Sequence, residues 1–145
     1  MSAGAANRIP FVLTSKDPSF AGVLEHLCHE SPFQLLTTAG PSITLETVRN
    51  NAPVFVLLDL DSLDPAEASR LILKLTLVSG ASSILTGATA VPGSPALDPF
   101  YQAGAQGSVI KPDGKTSLSL TGEAGKAFLQ RLLEITSRLR QRRQA

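Results

Sequence analysis

Short apolar runs alternate along the chain with longer stretches in which apolar side chains recur at helical spacing. Ile9 to Thr14 (IPFVLT) predicts a first strand. Pro18 to His29 predicts a helix, because Phe20, Val23, Leu24 and Leu27 fall on one side of a 3.6-residue turn. Asp17 stands where an N-cap is needed, with proline in the first turn. Phe33 to Thr38 predicts a second strand, followed by a short helix that opens at Pro41, carries Ile43, Leu45 and Val48, and ends at Asn50 and Asn51. Pro53 to Asp59 (PVFVLLD) is the clearest strand, since an uninterrupted apolar run is what a central strand buried on both faces requires. A helix from Pro65 carries Leu71, Ile72, Leu75 and Leu77, and Ser82 to Thr86 predicts a fourth strand. After the long connection GATAVPGSP come a helix over Ala96 to Ala103, a fifth strand over Gly107 to Ile110, and a final helix over Gly122 to Arg142. In that helix Phe128, Leu132, Ile135 and Leu139 form a core-facing stripe that Leu129 and Leu133 widen. Five strand-helix units of this kind predict an α/β fold, a doubly wound parallel sheet with helices on both faces.

Composition narrows the class without changing that pattern. A chain of 145 residues that is 43% hydrophobic and 17% charged fits one domain spanning the whole length, with residues 1–7 a flexible start and 140–145 a basic end. Its net charge of +1 supplies no long-range field for nucleic acid, so direct nucleic-acid binding is not expected. The longest apolar run, Val54 to Leu58, is far shorter than the ~20 residues of a membrane helix. The single Cys28 excludes an internal disulfide, and MSAGAANR lacks the apolar core of a secretory signal, which together predict a cytoplasmic location. Arg138, Arg140, Arg142 and Arg143 read first as a solvated helix end that complements the macrodipole.

In an open doubly wound sheet, ligands collect at the carboxyl ends of the strands. Those ends carry Thr14-Ser15-Lys16-Asp17, Asp59-Leu60-Asp61, Thr86-Gly87-Ala88 and Lys111-Pro112. The topology therefore gathers a carboxylate, a hydroxyl and a lysine. The segments VFVLLDLD, SSILTGA and AGAQGSVIKP resemble the three signature segments of response-regulator receiver domains, and the resemblance runs over nearly the whole chain. It implies the flavodoxin-like, CheY-like order 2-1-3-4-5. It also implies a phosphoacceptor position at Asp59, a phosphoryl-binding hydroxyl at Thr86, and the family's lysine at the end of the fifth strand at Lys111, in a cis bond to Pro112. The TGATAVPGSPALDPF connection and the IKPDGKTSLSL segment are similar to chemotaxis receivers of the CheB type. Partners implied by the resemblance are a histidine kinase, a phosphotransfer domain or an output domain.

Receivers hold magnesium with two adjacent acids after the first strand. Matching Pro18 to the proline of that motif puts Ser15 and Lys16 on the acid pair. Two like unit charges about 4 Å apart at an effective dielectric of ~20 repel by about 4 kcal/mol, and a divalent ion doubles that. An ammonium at Lys16 therefore opposes the ion, and Lys16 and Lys111 are expected to flank Asp59 instead. Ser108 stands where many receivers carry the aromatic that rotates inward on phosphorylation. The expectation is a degenerate receiver, with no metal and no cofactor, acting as an interaction module. The alternative is an ordinary phosphoacceptor regulator that uses magnesium, with Asp17 or water replacing the acids.

Other motifs are weaker. His26 and His29 share a helix face while Cys28 points elsewhere, so HLCH lacks a third zinc ligand. Gly114-Lys115-Thr116-Ser117 imitates a P-loop tail, but Val109 occupies the position of the first glycine. A flavin carrier is disfavoured because TSKDPS has no glycine after the first strand, and an independent hydrolase because no histidine falls at a strand end.

Overall fold

The computed structural model describes residues 8–29, 31–78, 83–88, 94–110 and 123–144. The elements in chain order are β1 (Ile9–Thr14), α1 (Pro18–Cys28), β2 (Phe33–Ala39), α2 (Pro41–Asn51), β3 (Phe55–Asp59), α3 (Pro65–Val78) and β4 (Ser83–Ala88). A 3₁₀ turn (Pro95–Leu97), α4 (Asp98–Ala103), β5 (Gly107–Ile110) and α5 (Glu123–Gln144) complete them. The five strands form one parallel sheet in the order β2-β1-β3-β4-β5, as the alternation predicts.

Because strand side chains alternate between faces, β1 and β3 each feed two cores. Phe11, Leu13, Phe55 and Leu57 point to the face covered by α1 and α5, where they meet Phe20, Leu24, Cys28, Phe128, Leu132, Ile135 and Leu139. Val12, Val56 and Leu58 point to the other face, against Val48 of α2, Leu71, Ile72 and Leu75 of α3, and Phe100 of α4. All five residues of β3 are buried. Phe11 and Phe55, paired across β1 and β3, stack with ring centroids 4.7 Å apart, and Phe33 from β2 meets each edge-on at 5.9 Å.

The boundaries differ from the sequence expectation where hydrogen bonding overrides hydropathy. β3 starts at Phe55 rather than Pro53; Val54 donates to the Pro10 carbonyl and accepts from Ser83, but Pro53 has no N–H to extend the ladder. β4 continues past Thr86 to Ala88 because Gly87 and Ala88 pair with Val109 and Ile110. The expected helix over Ala96 to Ala103 splits into a 3₁₀ turn capped by Ser94 and a separate α4. Leu77, assigned to the apolar stripe of its helix, is instead 84% exposed, since it lies about 200° around the axis from buried Leu75. Gly104 ends α4 at φ +132°, and a Cβ there would lie 2.4 Å from Thr76 of α3. Only glycine lets the two helices meet at that point.

Phe11, Phe33 and Phe55 form an aromatic trio in the core beneath α1 and α5. Phe55→Ala removes a fully buried ring from two stacking partners, so urea denaturation is expected to show a loss of about 3–5 kcal/mol.

Candidate functional site at the carboxyl edge of the sheet

Asp59 is the last residue of β3 and is completely buried. A buried carboxylate needs hydrogen-bond donors, and the neighbouring strand supplies one. Thr14 of β1 is level with Leu58 of β3, which brings the following residues Ser15 and Asp59 together. The Ser15 hydroxyl donates to Asp59 Oδ2 at 2.8 Å, and Ser15 Oγ in turn accepts the Asp17 N–H at 3.0 Å. The acid-pair position thus holds a neutral donor to the carboxylate.

Ser62 joins the two loops. Its hydroxyl donates to the Asp59 carbonyl at 3.1 Å and accepts the Lys16 N–H at 3.0 Å, so the β1–α1 connection is tied to the β3–α3 connection. Leu60 N–H donates to the Gly87 carbonyl at 2.9 Å, anchoring the same loop to β4. The sequence reading assigned Ser62 no role. Its signal was the Asp-x-x-Ser spacing of Asp59 and Ser62, a local side-chain-to-backbone turn.

Lys16 corrects the expectation that its ammonium flanks Asp59. The Lys16 Nζ lies 2.8 Å from Glu67 Oε1 in the first turn of α3, with the lysine side chain half exposed. Pairing with a partly solvated carboxylate at the rim keeps the ammonium hydrated, which insertion beside Asp59 would not. Asp17 caps α1, its Oδ1 accepting from Ser19 N at 2.9 Å and Phe20 N at 3.4 Å. Asp64 does the same for α3, accepting the Glu67 N–H at 3.3 Å.

Thr86 is buried on β4, level with Leu58 and Ser108, and its hydroxyl donates to the Gly107 carbonyl at 3.4 Å. Ser108 is buried on β5, with its Oγ 2.7 Å from the phenol oxygen of Tyr101 on α4. An aromatic therefore stands beside this position although β5 itself supplies none. Tyr101 was missed because nothing in its local pattern marks it. Lys111, Pro112 and the expected cis bond between them lie outside the described residues.

Magnesium wants an octahedron of hard oxygens, and receivers supply most of them from adjacent acids. Asp59 is a carboxylate, but its neighbours at the acid-pair positions are a hydroxyl and a lysine, and Asp17 is engaged with the N-terminus of α1. Among the described residues no three His, Cys, Asp or Glu side chains converge on a metal-sized site. His26 and His29 lie at the surface, while Cys28 is buried in the core. Burial pushes the Cys28 thiol up to about 11.

With the geometry in view, comparison by sequence matches no protein-family model and no curated protein. Comparison by structure finds receiver domains. The signal receiver domain of NarL from Mycobacterium tuberculosis superposes with a TM-score of 0.66 at 18% identity, covering 90% of this chain and 98% of that one. The response regulator domain of Thermotoga maritima CheB gives 0.66 at 18% identity, covering 90% and 95%. The chemotaxis response regulator CheY4 of Vibrio cholerae gives 0.62 at 16% identity, covering 77% and 94%. The chain has the flavodoxin-like fold of CheY-like receiver domains.

Two outcomes follow from the hydrogen bonding. Ser15→Ala deprives a buried carboxylate of a donor and is expected to cost about 1–3 kcal/mol in chemical denaturation, whereas Lys16→Met breaks a half-exposed ion pair worth at most about 1 kcal/mol. Equal losses would show that Ser15 does not support Asp59. A thiol held near 11 is protonated at pH 8, so Cys28 in the folded chain is expected to react with a disulfide reagent much more slowly than in urea.

Proposed function

We propose that this chain is a receiver-like signalling domain of a bacterial two-component phosphorelay that works as a protein-interaction module, without the usual magnesium-dependent phosphorylation cycle. The observation that carries this reading is the hydrogen bond from Ser15 to Asp59, with Lys16 drawn to Glu67. In-line phosphoryl transfer to a carboxylate depends on positive charge placed against the equatorial oxygens. Here the first-strand loop offers Asp59 a neutral hydroxyl, while the ammonium is neutralised by a carboxylate at the rim. The residues that define the centre are Asp59, Thr86 and Lys111, with Ser15 and Lys16 substituting the acids and Ser108 at the switch position. Their partners are a histidine kinase, a phosphotransfer domain or an output domain in the cytoplasm, and no cofactor is required. A chemotaxis setting is supported by the likeness to CheB and CheY4.

A second reading, a phosphoacceptor regulator modified on Asp59, is favoured by one observation: the carboxylate ends the central strand, with Thr86 one register step away on β4. Intact-mass measurement after incubation with acetyl phosphate and magnesium chloride separates the two. The parent chain is expected to stay unmodified, and amide shifts near Ser15 and Asp59 are expected not to saturate with magnesium. The double variant S15D/K16D is expected to regain saturable magnesium shifts. A hydroxylamine-labile phosphoryl adduct on the parent chain that is absent from D59N would replace the first reading with the second.

A further inference from the structure

A cavity of about 180 Å³ opens between α4, β5 and α5, away from Asp59. Its floor is apolar: Ile135 and Leu139 of α5 are each more than nine-tenths buried. Gly107 belongs to this floor, because a Cβ there would lie 3.1 Å from both Ile135 and Leu85. A side chain there would press on Ile135 and Leu85 at the floor of the recess.

The walls are donors. Arg131 and Arg138 line the cavity, and seven residues of α-helix return them to the same face within about 20°, roughly 10 Å apart along the axis. Arg131 has a half-exposed partner in Glu134 at 3.3 Å, while Arg138 pairs with no carboxylate among the described residues. Gln106 Oε1 accepts the Ile84 N–H at 2.9 Å, which fixes the amide and leaves its NH₂ to donate. Tyr101 and Ser108 share one hydrogen bond of 2.7 Å between two hydroxyls. Whichever oxygen donates, the other keeps a hydrogen that is free for a ligand. No Asp or Glu lines the cavity.

Donors on the walls, an apolar floor and the absence of acid specify an anion with a compact apolar body. A cavity of about 150 Å³ is known to hold a benzene-sized molecule, so the volume here admits one ring or a short branched chain. Guanidinium groups match a carboxylate by paired, charge-assisted hydrogen bonds. We propose that the cavity lined by Tyr101, Ser108, Arg131 and Arg138 binds a small cyclic or branched monocarboxylate, its carboxylate between the arginines and its body on Ile135 and Leu139.

Tyr101 is the one tyrosine of a chain that has no tryptophan, so intrinsic emission reports on this cavity directly. The probe is cyclohexanecarboxylate, which does not absorb with tyrosine, titrated into the full chain at constant ionic strength. A saturable change in emission is expected. The neutral cyclohexylmethanol and the bodiless acetate are each expected to bind at least about tenfold more weakly, and so are R131M and R138M, whose exposed positions spare the fold. Variant D59N is expected to bind as the parent chain does, so failure here leaves the reading of the Asp59 centre untouched. No saturable response up to about 50 mM, equal binding of the alcohol or of acetate, or indifference to both arginine substitutions would each overturn the assignment.

Discussion

The structure turns on the burial of β3 from both sides. Phe55, Val56, Leu57 and Leu58 have no exposed surface, and their alternation seeds one core against α1 and α5 and the other against α2, α3 and α4. Asp59, the last residue of that strand, is buried as well. The chemistry at the edge of the sheet follows from the need to support a carboxylate that the hydrophobic packing has placed in the interior.

The chain meets that need with hydroxyls. Ser15 donates to the carboxylate, Ser62 to the carbonyl of the same residue, and the Lys16 backbone N–H closes the link between the two loops. These are short-range hydrogen bonds from uncharged donors, which are less sensitive to salt than ion pairs. The Lys16–Glu67 pair stays at the rim, where solvent weakens it and where the ammonium costs little to hydrate. Among the described residues, the first-strand loop meets Asp59 with a hydroxyl, while the Lys16 ammonium turns to Glu67. That is the physical basis for reading it as an interaction module on a receiver-like scaffold.

The edge strand β5 raises a different question of design. It lies between α4 on one face and α5 on the other, and Gly107 is where Ile135 of α5 comes near its backbone. Where the helices do not quite meet, Tyr101 reaches Ser108 and two arginines border the gap.

Much of this was legible in the order of residues. Hydrophobic periodicity depends on local geometry, so the five strands, the stripe of Phe128, Leu132, Ile135 and Leu139, and the Asp17 cap all emerge from the chain read alone. So does the placement of Asp59 at a strand end, since the carboxyl edge of a parallel sheet follows from topology, whereas Thr86 lies inside β4, which runs on to Ala88. What neither spacing nor composition contains is the direction of a flexible side chain at that edge. Lys16 can swing toward Asp59 or Glu67, Ser62 can face solvent or the loop, and Tyr101 can lie outward or against Ser108. Those choices depend on which distant elements packing brings within reach, and three-dimensional contact alone decides them.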